Sequence, residues 1–240
     1  MSQHEEINEK YGIEKPRNLE PVNPSKPKIP TVLILDTSKS MAPYADKVIE
    51  AFYRLIREIS EDIMLQTSLE LCVVTYDDEP HVRSEFKRFS TDIKLPEDLD
   101  FDGTTATHKT MELAIDLINE RRKQYAERDI DSYKPAIYLI TDGNANDDGD
   151  YSRIRRYQND GGWNVLPIAI GNDITPAKMA EIRPDGMYFH IEERGELSAA
   201  FRLIKDSFSS LTRNLPVPIP ENVQVIQLNN GIDKASEIVA

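Results

Sequence analysis

Cysteine is nearly absent from this sequence, since Cys72 is the only one among 240 residues. A disulfide within the chain is therefore excluded. Cys72 lies in the apolar run of residues 69–74, which indicates a buried structural thiol rather than a catalytic nucleophile. The four histidines are scattered along the chain. Both shortages argue against nucleophilic catalysis by a thiol or by a serine-histidine-aspartate set.

Long apolar runs and an excess of positive charge are missing too. No stretch approaches the roughly 18 apolar residues of a membrane span, and the N-terminus has neither the basic start nor the apolar core of a signal peptide. We therefore expect a cytoplasmic protein without a membrane span. Lys and Arg total 29 against 42 Asp and Glu, a formal net charge of -13, which argues against nucleic acid as a partner. The basic stretches at residues 121–123 and 153–156 are predicted to be solvated helix faces.

Length and composition predict one domain with two tails. With 39% hydrophobic residues, the chain can bury one good-sized core. Residues 1–29 are polar and contain prolines, so an irregular N-terminal arm is expected. The folded domain is predicted over residues 30–212. For the tail at residues 213–240, docking on the domain and disorder both remain open.

Strand and helix patterns alternate through the predicted domain. Residues 31–35 form a continuous apolar run, as in a central parallel strand covered on both faces. Further strands are predicted at residues 69–76, 136–141, 164–170 and 187–191, with an edge strand at 82–89. Helices are predicted at residues 48–59, where apolar residues repeat at three- and four-residue spacing, at about 108–127, 152–158 and 197–211, and briefly after Pro176. The alternation predicts an α/β fold, with a doubly wound, mostly parallel central sheet, helices on both faces and one antiparallel edge strand.

Three polar clusters lie at predicted strand ends or before a helix. They are Asp36-Thr37-Ser38-Lys39-Ser40, Asp102-Gly103-Thr104-Thr105 and Thr141-Asp142-Gly143. In an open parallel sheet, ligands bind beyond the carboxyl ends of the strands. The alternate spacing in the first cluster lets one carboxylate and two hydroxyls turn toward a common point. Each cluster alone is also an ordinary cap or turn, but the three together predict one site.

Carboxylate and hydroxyl oxygens, without a nearby His or Cys cluster, suit a hard cation and suit Zn²⁺ poorly. We expect Mg²⁺, with Mn²⁺ or Ca²⁺ as alternatives. Two carboxylates and three hydroxyls do not fill every coordination position, and Mg²⁺ commonly retains water. One position is therefore predicted to stay open to an outside ligand.

The segments DTSKSM, DGTTAT and TDGNAND resemble the metal-ion-dependent adhesion site (MIDAS) of von Willebrand factor A (VWA) domains, and the resemblance covers about residues 30–212. In such domains a partner protein often supplies an acidic side chain to the open metal position. The resemblance thus implies a protein-binding module and not an enzyme. By position it implies as metal ligands Asp36, Ser38, Ser40, Thr105 and Asp142.

The short loops and the segment GNDITPAKM are most similar to bacterial cytoplasmic VWA proteins of the tellurium-resistance and stress-response type. This similarity implies a metal-dependent scaffold in such a system. Two positions depart from the family pattern. Lys39 occupies a slot that is usually small, and Thr104 stands where a second glycine is common. The latter leaves Thr104 or Thr105 as the ligand, and the offset from the following helix favours Thr105.

Two other functions remain open. An aspartate after the first strand of a doubly wound sheet is the phosphoryl-accepting nucleophile of some Mg²⁺-dependent enzymes, but Ser38 stands where haloacid-dehalogenase-type phosphatases have a second aspartate. A VWA fold that binds no metal and acts as a packing module is the other alternative. The first strand is followed neither by Gly-x-Gly-x-x-Gly nor by a Gly-Lys-Ser/Thr phosphate-binding loop, which argues against nucleotide binding.

Overall fold

A computed structural model of the chain describes residue 10 and residues 27–89, 93–142, 145–147, 149–192, 196–213 and 217–228. In chain order the elements are β1 (Ile29–Asp36), a 3-10 helix (Lys39–Tyr44), α1 (Ala45–Ser60), α2 (Ile63–Ser68), β2 (Leu69–Tyr76), β3 (Pro80–Arg88), α3 (Thr107–Ala126), β4 (Ala136–Thr141), α4 (Ser152–Gly161), β5 (Asn164–Ile170), α5 (Pro176–Ala180), β6 (Met187–Ile191), α6 (Leu197–Arg213) and β7 (Gln224–Gln227).

The strands form one seven-stranded sheet in the order β3-β2-β1-β4-β5-β6-β7. The five inner strands are mutually parallel, whereas β3 and β7 pair antiparallel at the two edges. The predicted fold class is confirmed. The second antiparallel edge arises because the chain returns along β6 after α6. The strand order reverses between β1 and β4, and ligands of such sheets bind beside that point.

Apolar layers cover both faces of the sheet. All eight residues of β1 are buried, and alternate side chains point to opposite faces. Leu33 belongs to the core cluster that contains Phe52 of α1 and Ile204 of α6, while Ile34 belongs to the cluster on the other face, which contains Ile115 of α3. This double burial explains the continuous apolar run of β1.

A buried ion pair joins α3 to β2 at the end of the sheet opposite the polar clusters. Arg121 Nε donates to Glu70 Oε2 at 2.7 Å, and the Tyr125 hydroxyl donates to the same oxygen at 2.7 Å. Because Arg121 is only 1% exposed, the prediction of a solvated face is wrong for this residue. The charge is tolerated there because a carboxylate neutralises it and accepts its hydrogen bond.

Parts of the two predicted tails contact the domain. Lys10 Nζ lies 2.7 Å from Asp116 Oδ2 on α3, and β7 pairs with β6 from Met187 to His190. The remainder of residues 1–26, together with residues 214–216 and 229–240, lies outside the described residues. Among the helices that the structure describes, none has the length and apolarity that a bilayer crossing requires.

Candidate metal centre

The first and third polar clusters meet where β1 and β4 end. Because these strands are parallel neighbours in register from Thr31↔Ala136 to Leu35↔Ile140, the residues that follow reach the same edge of the sheet. Thr141 Oγ1 donates to Asp36 Oδ2 at 2.6 Å. The pairing of β1 with β4 therefore brings the last residues of two strands that are distant in the sequence into direct contact.

A continuous series of hydrogen bonds connects four of the five predicted site residues. The Ser38 N–H donates to Asp36 Oδ1 at 2.9 Å, and the hydroxyl oxygens of Ser38 and Ser40 lie 3.1 Å apart. Ser40 Oγ donates to Asp142 Oδ1 at 2.8 Å. Two carboxylates and two hydroxyls thus converge at the end of the sheet, as the spacing predicts. Gly143, the last residue of the third cluster, lies outside the described residues.

The two threonines of the second cluster have different environments. Thr104 is exposed, and its N–H and Oγ1 both donate to Asp78 Oδ1, at 2.8 Å and 2.6 Å. These bonds hold the pKa of Asp78 below its ordinary value. Thr105 is 4% exposed, and its carbonyl accepts the N–H of Asn146 at 2.9 Å. The side chain of Thr104 is therefore bonded outside the three clusters, and the carbonyl of Thr105 joins its own loop, before α3, to the loop that follows β4.

Gly103 joins the second loop to the first. Its carbonyl accepts the N–H of Lys39 at 3.3 Å, and its φ is +75°, which favours glycine. A Cβ at this position would lie 3.1 Å from Cβ of Asp77 and 3.2 Å from Cγ of Asp78. The hydrogen bond between Lys39 and Gly103 and the one between Asn146 and Thr105 connect the backbones of the three loops that carry the polar clusters.

Asp147 is a structural residue of the site that the sequence analysis missed. Its carboxylate accepts the N–H of His108 at 3.2 Å and the N–H of Lys109 at 2.8 Å, which satisfies donors at the start of α3. The position before α3 is Ala106, which makes no side-chain cap. The cap comes from the third loop, 38 and 39 residues away, so local sequence held no signal for it.

Tyr76 was missed as well. It ends β2, and its hydroxyl donates to Asp36 Oδ2 at 3.2 Å. Tyr76 and Asp36 end neighbouring parallel strands in register, and the sequence alone does not show which strands are neighbours.

The electrostatics of the centre favour a bound cation. Asp36 is fully buried, and burial raises its pKa from 3.8 to about 6, with a smaller increase from nearby Asp142 and an opposing effect of hydrogen bonds from Ser38 and Thr141. Two neighbouring carboxylates repel each other, and a cation between them would remove that penalty. Within the described residues no group of three or more His, Cys, Asp or Glu is placed to hold a metal, so a cation here needs the hydroxyl oxygens too. The donor set of carboxylates and hydroxyls fits a hard divalent ion.

Sequence comparison identifies the domain. The sequence profile of the von Willebrand factor type A domain matches residues 31–227. Among curated proteins, none matches the chain.

Several solved structures share the fold at low sequence identity. Proximal thread matrix protein 1 of the mussel byssus is 16% identical, with a TM-score of 0.56 over 75% of this chain and 47% of that one. A von Willebrand factor type A protein from Catenulispora acidiphila is 18% identical, with a TM-score of 0.57 over 78% and 43%. The ArnB paralog VWA2 from Sulfolobus acidocaldarius is 17% identical, with a TM-score of 0.50 over 78% and 47%. The chain matches less than half of the length of each.

Proposed function

We propose that this chain, which belongs to the von Willebrand factor type A domain family, binds one divalent cation and uses it to hold an acidic side chain of a partner protein. The observation that carries this proposal is the series of hydrogen bonds that joins two carboxylates through the Ser38 backbone N–H and the hydroxyls of Ser38 and Ser40. Such a cluster of oxygen donors suits a hard cation. The proposed ligands are Asp36, Ser38, Ser40, Thr105 and Asp142.

The proposed cation is Mg²⁺, with Mn²⁺ and Ca²⁺ as alternatives. All five proposed ligands bind through oxygen, and Mg²⁺ prefers oxygen donors and retains water in its shell. One structure of the mussel protein has zinc in its MIDAS motif, so Zn²⁺ belongs in any titration. The absence of His and Cys from the proposed ligand set favours the harder ion here.

The charge balance supports an acidic partner. Two carboxylates neutralise a divalent cation, and the three hydroxyls add no charge, so an anionic ligand at the open position meets no net negative charge among the ligands. Lys39 lies between two proposed ligands and is exposed, and its ammonium adds attraction for an acidic group. The net charge of -13 makes nucleic acid an unsuitable ligand.

The residue at position 38 favours binding over phosphoryl transfer. Haloacid-dehalogenase-type phosphatases have a second aspartate there, which acts as the acid and base of the reaction. This chain has Ser38 instead, and a serine hydroxyl does not supply that function. Steady phosphatase activity that Asp36→Asn removes would favour the enzyme instead.

Titration of Mg²⁺ and Mn²⁺ into chelator-stripped protein tests the site. Wild type should bind one ion, and Asp142→Ala and Thr105→Val should each weaken the affinity at least tenfold. Thr104→Val is the matched control and should bind nearly as wild type, because Thr104 bonds to Asp78. If Thr104→Val loses the ion and Thr105→Val does not, then Thr104 is the ligand in place of Thr105. If wild type binds no ion, the domain is a metal-free packing module.

The proposed cellular role is that of a scaffold in a bacterial stress-response system of the tellurium-resistance type. Its support is the resemblance of the segment GNDITPAKM and of the short loops. A strain that lacks the gene should grow less well with tellurite. Wild type should restore growth, and a folded Asp142→Ala variant should not. Equal growth of all three strains would refute this role without affecting the metal site.

A further inference from the structure

We propose that Tyr76 is a positioning residue of the metal centre, which holds the carboxylate of Asp36 in place and couples it to the start of α3. This inference rests on the proposed metal function. On this proposal the hydroxyl of Tyr76 contributes to the metal affinity of the protein, and the packing of the core does not depend on it.

Three donors from separate parts of the chain hold Asp36. The Tyr76 hydroxyl, at the end of β2, donates to Oδ2 at 3.2 Å. Thr141, at the end of β4, donates to the same oxygen at 2.6 Å, and the Ser38 N–H donates to Oδ1 at 2.9 Å. Because both oxygens are engaged, rotation of this carboxylate breaks at least one hydrogen bond in a fully buried setting, where an unmade bond is costly.

The same tyrosine also contacts α3. Thr107, the first residue of α3 and 4% exposed, donates through Oγ1 to the Tyr76 hydroxyl at 3.5 Å. A phenol hydroxyl donates one hydrogen bond while it accepts another, so Tyr76 serves both contacts together. Thr105 lies two residues before Thr107. The chain from Thr107 through Tyr76 to Asp36 therefore links the second ligand loop to the first.

Packing alone does not require this hydroxyl. The ring of Tyr76 is fully buried in an apolar cluster with Val74, Phe86 and Ile115. A phenylalanine would fill the same space and would avoid the burial of a polar group. The hydrogen bonds of this hydroxyl join it to Asp36 and Thr107, which belong to the centre and to the helix beside it, so we assign the hydroxyl to the metal site.

The test compares two buried tyrosines that each lose one hydroxyl. Tyr76→Phe is the test variant. Tyr138→Phe is the matched control, because Tyr138 is equally buried, lies in the core cluster of the opposite sheet face and bonds to Ser207. For each variant, Mn²⁺ affinity is measured by titration, and the stability of the metal-free protein by urea denaturation.

Tyr76→Phe should raise the Kd for Mn²⁺ by about 3- to 10-fold, the effect of one net hydrogen bond. Tyr138→Phe should leave the Kd within about twofold, even if its stability changes as much. Thr107→Val should raise the Kd less, and the double variant with Tyr76→Phe should be no weaker than Tyr76→Phe alone, because both act through one chain of bonds.

Two results would overturn the assignment. In the first, Tyr76→Phe binds Mn²⁺ as wild type does while its stability falls, which makes Tyr76 a structural residue. In the second, both phenylalanine variants weaken binding equally, which attributes the effect to the loss of any buried hydroxyl. Failure of the proposed function itself is distinguishable from both, because wild type would then bind no Mn²⁺ at all.

Discussion

Replacement of Asp36 by asparagine should stabilise the metal-free protein while it removes metal binding. Burial raises the pKa of Asp36 from 3.8 to about 6, so the folded state holds the ionised carboxylate at an energetic disadvantage. The difference between a pKa of 3.8 and one of about 6 corresponds to about 3 kcal/mol at neutral pH. Asparagine carries no charge, and the hydroxyls of Thr141 and Tyr76 can rotate to accept hydrogen bonds from the N–H groups of its side-chain amide. We expect a net gain of about 1–3 kcal/mol.

The pH dependence follows from the sign of the shift. A folded-state pKa above the unfolded value means that the stability contributed by protonated Asp36 is fully present below about pH 3.8 and is lost as the pH rises through about 6. The advantage of Asp36→Asn should therefore be largest at about pH 7.5, and it should narrow by about 1 kcal/mol at about pH 5.5. The stability of the Asp36→Asn protein has no such contribution, because asparagine does not titrate.

Urea denaturation of both proteins in chelator measures this difference at the two pH values. Titrating groups outside the centre affect wild type and variant alike, so the difference between the two proteins reports Asp36 together with its interaction with Asp142. A variant that is less stable than wild type at about pH 7.5, or a difference that does not change with pH, would refute the argument from burial. Excess Mg²⁺ should reverse the order of stability, because only wild type gains binding free energy.

Three further substitutions test other parts of the structure. Asp147→Ala should cost about 1 kcal/mol of unfolding free energy through the lost cap of α3, and it should also weaken Mn²⁺ binding. Its control is Asp150→Ala, which removes the acceptor of a local N–H in the same loop and should leave the metal affinity unchanged. Equal effects of the two variants on Mn²⁺ affinity would contradict a role of the Asp147 cap in the metal site. Gly103→Ala should lower stability by about 1–2 kcal/mol because of its positive φ, and an unaltered Tm would show that the turn relaxes. Arg121→Ala should cost about 3–5 kcal/mol in urea denaturation, since a carboxylate is left buried and unneutralised; a loss below about 1 kcal/mol would mean that water reaches the pair.

The architecture was predictable because its signals are local. The continuous apolar run of β1 marks a strand buried on both faces, and the apolar stripe of α1 marks a helix that packs on the sheet. Strand ends carry the residues of the first and third loops, and the parallel arrangement brings those ends to one edge. The convergence of Asp36, Ser38 and Ser40 therefore follows from spacing within one short segment. Asp142 joins them because β4 is the parallel neighbour of β1.

Other features depend on residues that are far apart in the sequence. Arg121 belongs to a basic stretch that predicts a solvated face, yet it is buried against Glu70, 51 residues earlier. The cap of α3 comes from Asp147, 39 residues after His108, and the hydroxyl that holds Asp36 comes from Tyr76, 40 residues later.

The sequence by itself determined the strand and helix periods, the fold class and the spacing of the oxygen donors, because each of these is a property of neighbouring residues. Only the tertiary structure decided which threonine bonds to Asp78, which loop caps α3 and which side chains orient the buried carboxylate. Those choices depend on strand register and on the packing of loops against one another, and residues brought together in this way leave no periodic pattern in the chain.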